Sequence, residues 1–291
     1  MKPRTYAYDE YADYLLYQRL AKREKNPHNR EMLERLSAQE LGHYKFWARF
    51  EPGYVPKVNP LFLALFFAMR YVLGLTFTIK FLERHEFRVV EEYKRALSQI
   101  PEEHREELAT LIRDEEEHEN FFISQLKEKV IQYIGFIALG LADAIVEITG
   151  VHAGFLGVTG STLVAGISGL IVGFAAAISM GSAAYIQAKQ DVQRSPFLSA
   201  IATGISYIVS VVMLALPYFL TPDMATAFLV SVVVGVLMIA LLTFYSAVVF
   251  DRRFWREFLE ATGLMLGTAV ATFFVGKLLG RVFGIEGVIT H

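Results

Sequence analysis

Cysteine is absent from all 291 residues, which excludes disulfides, thiolate metal ligands and iron–sulfur clusters. The N-terminus has no apolar region: Lys2 and Arg4 are followed by Asp9 and Glu10, so no cleavable secretory signal is expected. An excess of one charge is missing too, and a net charge of −2 gives no signal for nucleic acid as a partner. Charge is unevenly spread. Most acidic and basic side chains fall in residues 1–130, and from Val130 onward long apolar runs are broken only by short polar clusters. With 54% hydrophobic residues and a mean hydropathy of +0.36, the chain is too apolar for an ordinary soluble protein. An all-α protein of two units is expected, 1–129 and 130–291, the second of them in a membrane.

The charged part repeats itself. Glu10 is followed seven residues on by Tyr17 and thirty on by Glu40, which opens Glu40-Leu41-Gly42-His43. Glu86 is followed seven on by Tyr93 and twenty-nine on by Glu115, which opens Glu115-Glu116-Glu117-His118. On a helix the i, i+3 spacing puts each Glu and its His on one face. An isolated Glu-x-x-His is usually a solvated face, but two in the same order with nearly the same spacing match the ligand set of a di-iron or di-manganese carboxylate bundle. Hard oxygen ligands mixed with imidazole suit iron or manganese, with zinc the other option. Glu83, three residues before Glu86 and on the same face, is an extra ligand or a replacement for Glu86; the repeat favours Glu86. Tyr17 and Tyr93 read either as hydrogen-bond donors to the ligand carboxylates or as aromatic core.

Four helices carry these groups: Tyr6 to Lys25, Asn29 to Phe50, Thr76 to Ser98, and one beginning at Pro101 with acids against its dipole. Leu61 to Leu82 is almost wholly apolar, interrupted by Arg70 and Lys80, and is long enough to cross a bilayer. A crossing there would put the two halves of the metal site on opposite sides. The segment is therefore expected on the membrane surface or in a dimer contact, continuing into the third helix.

Beyond Val130 five spans are predicted, at about 131–151, 162–186, 197–220, 225–250 and 262–283. Lys127 and Lys129, Lys189 and Arg194, and Arg252, Arg253 and Arg256 flank them on one side; the loops Val151 to Ser161 and Thr221 to Thr226 hold no Lys or Arg. By the positive-inside rule the metal bundle is cytoplasmic and the C-terminus outside. Span one carries Asp143 and Glu147, one turn apart. Buried carboxylates cost about 2.5 to 3.5 kcal/mol each in the bilayer centre, so they read as lining a path for cations or protons. Met180 in span two is a soft ligand suited to transition metals, though a lone Met is more often packing.

Two resemblances follow from these motifs. Residues 5–125 resemble a rubrerythrin-type ferritin-like domain, through Glu10 with Tyr17, Glu40-x-x-His43, Glu86 with Tyr93 and Glu115-x-x-His118. Residues 130–285 resemble the vacuolar iron transporter family, through Gly140-Leu141-Ala142-Asp143-Ala144, Ala177-Ile178-Ser179-Met180 with Tyr185, Ser195-Pro196 and Leu216-Pro217-Tyr218. Together they are similar to the membrane-bound ferritins, in which a cytosolic di-iron domain is fused to this transporter. The resemblance implies export of Fe2+, or Mn2+, from the cytoplasm against protons, with Asp143 and Met180 at the family's metal positions in the pore. It departs from the family at Ala184, where an acid usually precedes the span-two Tyr, and in the ten residues that replace an acidic hairpin between spans two and three. Metal capture then falls to the N-terminal bundle. The expected protein is a homodimeric metal transporter of the cell inner membrane. The other readings are a membrane-anchored ferroxidase or peroxidase and a metal sensor gating the pore.

Overall fold

The computed structural model describes residues 2–83, 86–125, 129–191 and 194–284; within these, the side chains at 83, 86–88, 117–125 and 129–130 fall outside the description. Among the described residues all regular structure is helical. The chain divides into two compact units, Met1–Lys129 and Val130–His291.

In the first unit, α1 (Pro3–Arg23) and α2 (Pro27–Ala48) pair antiparallel. Tyr6 meets Trp47, Tyr11 meets Tyr44, and the Ser37 hydroxyl donates to the Tyr14 carbonyl. Both helices start earlier than Tyr6 and Asn29. Proline is the reason: Pro3 and Pro27 sit in the first turn, where no N–H is needed, and the Asn26 side chain accepts from the backbone of His28 and Asn29.

The apolar segment is not one stretch. It splits into α3 (Pro60–Leu73) and α4 (Leu75–Glu83) at Gly74, whose φ of +93° is cheap only for glycine. At about 1.5 Å per residue, α3 reaches about 21 Å, short of the roughly 30 Å of a bilayer core. Its inner residues Leu63 and Phe66 join Leu75, Ile79 and Leu82 of α4 over Leu16, Leu20, Leu33 and Leu36 of the α1–α2 pair. Arg70 locks this arrangement by donating to Glu24 at 2.6 Å. Burial pushes the Glu24 carboxyl up, but hydrogen bonds from the Asn26 backbone and Arg70 leave it below the usual range.

α5 (Glu86–Ala96) and α6 (Arg105–Gln125) follow. Pro101 precedes a turn of 3-10 helix at Glu102–His104, so the α-helix starts later than Pro101. A second core gathers Tyr6 and Ala7 of α1, Phe46 and Trp47 of α2, Tyr93 and Ala96 of α5, and Leu108, Leu111 and Ile112 of α6. Along α1 and α2 the buried Glu10, Glu40 and His43 fall between the residues of the two cores.

The second unit holds α7 (Lys129–Val158), α8 (Thr162–Ala188), α9 (Pro196–Ala215), the short α10 (Pro217–Leu220), α11 (Met224–Val249) and α12 (Phe254–Phe283). Five stretches are long and apolar enough to cross a membrane: Ile131–Val158, Thr162–Ala188, Pro196–Leu220, Met224–Val249 and Phe254–Phe283. The chain is thus read as an integral membrane protein. Two boundaries differ from the sequence expectation. The loop expected from Val151 is helical through Val158, and the last helix starts at Phe254 rather than 262, carrying Arg256 and Glu257. Charge marks where apolar surface begins; it does not stop a helix, and Glu257 suits the first turn. All five helices share a core that includes Ile145 and Ile148, Ala177, Tyr207 and Val211, Met238 and Met265. Close approach of backbones needs glycine, most tightly at Gly140 and Gly276. A Cβ at Gly140 would lie 2.4 Å from the Thr203 carbonyl oxygen of α9, and one at Gly276 would lie 2.2 Å from that of Gly154.

Candidate metal site and membrane cleft

Glu10 comes from α1, Glu40 and His43 from one face of α2, and Glu115 from α6. They are 4, 1, 2 and 3% exposed. Their ligand atoms all lie within 4.8 Å of one another, a group that could hold a metal ion. The centre of the group is His43 Nδ1, which lies 2.8 Å from Glu115, 3.4 Å from Glu40 and 3.5 Å from Glu10. One imidazole nitrogen cannot donate to three acceptors. The geometry is that of donors converging on a point.

The electrostatics agree. Burial pushes the Glu40 carboxyl well above the usual range, and the Glu115 charge adds to it. Glu115 is raised as well, by burial first and then by Glu10. Burial would lower His43, but the surrounding carboxylates of Glu10, Glu115 and Glu40 outweigh it and raise the imidazole well above its ordinary value. Glu10, pushed up by burial, is brought below the carboxylate range by hydrogen bonding to His43 and by further bonds that include Tyr93. Three carboxylates buried together repel one another, and bound protons offset part of that cost. A divalent cation at the point of convergence would offset it without protons, so the donor set fits iron, manganese or zinc.

Of the expected ligands, Glu83, Glu86 and His118 have side chains outside the described residues. Tyr93 is fully buried, and its hydroxyl donates to Glu10 Oε1. Tyr17 is equally buried, in the core with Leu16, Leu20 and Leu33. The Tyr93 contact crosses the repeat, a second-half tyrosine orienting a first-half glutamate. Removing that hydroxyl as Tyr93→Phe is expected to weaken metal binding roughly 10- to 100-fold without unfolding the core, as measured by calorimetric titration. Unchanged affinity would make Tyr93 packing alone.

The sequence reading passed over Asp13, Asp9 and Asp114. Asp13 sits one turn beyond Glu10 on the same face and is raised well above its ordinary value by burial and by the charges of Glu10, Asp9 and Glu115. Asp9 is raised to about 6 by burial, then by Glu10 and Glu92. With Glu92 the two line a pocket of about 370 Å³. Asp114 Oδ2 stands 3.8 Å from His43 Nε2. The i, i+3 relation of Glu10 to Asp13 was the available signal.

In the membrane unit, Asp143 and Glu147 of α7 line a cleft of about 570 Å³ with Ser179 and Met180 of α8. The Tyr207 hydroxyl of α9 donates to Glu147 Oε2. Tyr207 was also missed, since its partner lies sixty positions away in the chain. The cleft opens sideways: Ile171 on its wall is 65% exposed and Val172 37%.

Comparison with known proteins gives one match. Residues 187–277, under a third of the chain, match the VIT family. No curated protein and no solved structure matches the chain. The match covers the end of α8 and most of α9 to α12, and with the five apolar helices it suggests metal-ion transport across a membrane.

Proposed function

We propose that this protein moves Fe2+, or Mn2+, out of the cytoplasm in exchange for protons, with metal first captured by a ferritin-like, rubrerythrin-type bundle in the N-terminal unit. The observation that carries the reading is the buried convergence of Glu10, Glu40, His43 and Glu115 in a chain that also has five spans and a VIT match. By the repeat, Glu86 and His118, with Glu83 as an extra candidate, would join Glu10, Glu40, His43 and Glu115 in holding a pair of metal ions. The same symmetry assigns Tyr17 to Glu86, as Tyr93 serves Glu10. Iron held there would supply one-electron chemistry toward dioxygen or peroxide, which is how a ferroxidase activity would arise.

In the membrane unit this chain's residues divide the work. Asp143 and Glu147 supply the negative charge that a cation needs once its water is stripped, Met180 offers a soft sulfur, and Tyr207 fixes the Glu147 carboxylate. As the cation leaves, the two carboxylates accept protons, which gives the exchange. Acids on an open flank of a membrane unit must face protein or water, so the sideways cleft supports a homodimer in which a second copy closes the path. The Lys and Arg at one set of loops support a reading with the bundle in the cytoplasm and the C-terminus outside.

The test is metal flux in vesicles reconstituted with the full chain. Fe2+ is expected to cross faster than in protein-free vesicles, and faster again when a proton gradient opposes it. A flux indifferent to the gradient would remove the exchange, and no flux at all would leave the membrane unit an anchor.

A further inference from the structure

The two faces of α3 lie in different surroundings. Leu63 and Phe66 are buried against α1, α2 and α4, whereas Leu61, Leu65, Tyr71 and Val72 are 74, 59, 68 and 79% exposed. With Ala64 and Ala68, also exposed, these positions follow the i, i+3, i+4, i+7 progression of one helix face. The result is a continuous apolar stripe rather than scattered residues, and such stripes mark interaction surfaces.

Charge around the stripe is one-sided. Between Glu51 and Glu83 there is no acidic residue, while Lys57, Arg70 and Lys80 are basic. The last turn of α1 adds Lys22 and Arg23, and the Arg23 guanidinium lies 4.6 Å over the Phe67 ring of α3. Of the acids near that end, Glu24 is matched by Arg70 and Glu31 by Arg35. We infer that α3 lies in the interfacial layer of the bilayer, with its stripe among the acyl chains and its basic rim on anionic lipid headgroups. An amphipathic helix with basic residues beside an apolar face is built for that layer. A symmetric contact with a second copy would instead bring the same cations together. The Gly74 break makes the placement feasible, since it lets α3 turn its outer face away while α4 stays in the core.

The cysteine-free chain allows a direct test. Leu65→Cys, Ala68→Cys and Val72→Cys, with Glu34→Cys on the exposed face of α2 as the reference, are spin-labelled singly in the full protein in vesicles containing anionic lipid. The three stripe labels are expected to meet dissolved oxygen more than a water-soluble nickel chelate, and the Glu34→Cys label the reverse. Stripe labels as open to the chelate as the reference would overturn the inference. Shielding from both reagents, with spin coupling between copies, would overturn it in favour of a dimer contact.

Discussion

Asp143→Asn is expected to cut the rate of metal flux about tenfold or more while the N-terminal cluster keeps its metal. The substitution preserves shape and removes charge. Two unit charges about 4 Å apart interact by about 4 kcal/mol at the effective dielectric of a partly buried site, and losing about 1.4 kcal/mol from a barrier already costs tenfold. Glu147 remains on the same face one turn away, so some flux persists. The two readouts separate because Asp143 and the buried Glu–His cluster belong to different units. Initial rates of Fe2+ movement in vesicles, beside metal content of the same preparation, check the prediction. Flux at the wild-type rate would make Asp143 structural and pass its role to Glu147, which Tyr207 already holds in place.

Some of this architecture could be read from residue order and some could not, for a physical reason. Helical periodicity relates neighbours on one helix, so the shared face of Glu40 and His43 follows from spacing alone. Runs of about twenty apolar residues announce spans in the same local way, and the five apolar helices lie where those runs do. What crosses between elements is silent in the sequence. Tyr93 donating to Glu10 and Tyr207 donating to Glu147 depend on which helices pack together. Gly74 shows a third kind of loss: hydropathy reads through a glycine, while the backbone turns at it. Asp13 was missed differently, since among so many acids one more carboxylate was uninformative until its place beside Glu10, on the wall of a pocket, was known.

The other large effect concerns the metal cluster. Glu40→Ala with Glu115→Ala removes two of the four converging groups, both of them buried. Without metal the double variant is expected to fold, because it loses the repulsion among buried carboxylates while Glu10 remains as a partner for His43. With metal, the wild type should gain about 2.7 kcal/mol of stability at a hundred times the dissociation constant, and the variant nothing. Binding should weaken as pH falls. Glu40, Glu115 and His43 are all raised, so each takes up a proton readily, and protons compete with the cation for the same atoms. The most direct measurement is the number of metal ions retained per chain after gel filtration, in the full protein and in this double variant at neutral pH. The account predicts two ions for the wild type and none held by the cluster in the variant. Two tightly held ions in the double variant would contradict it.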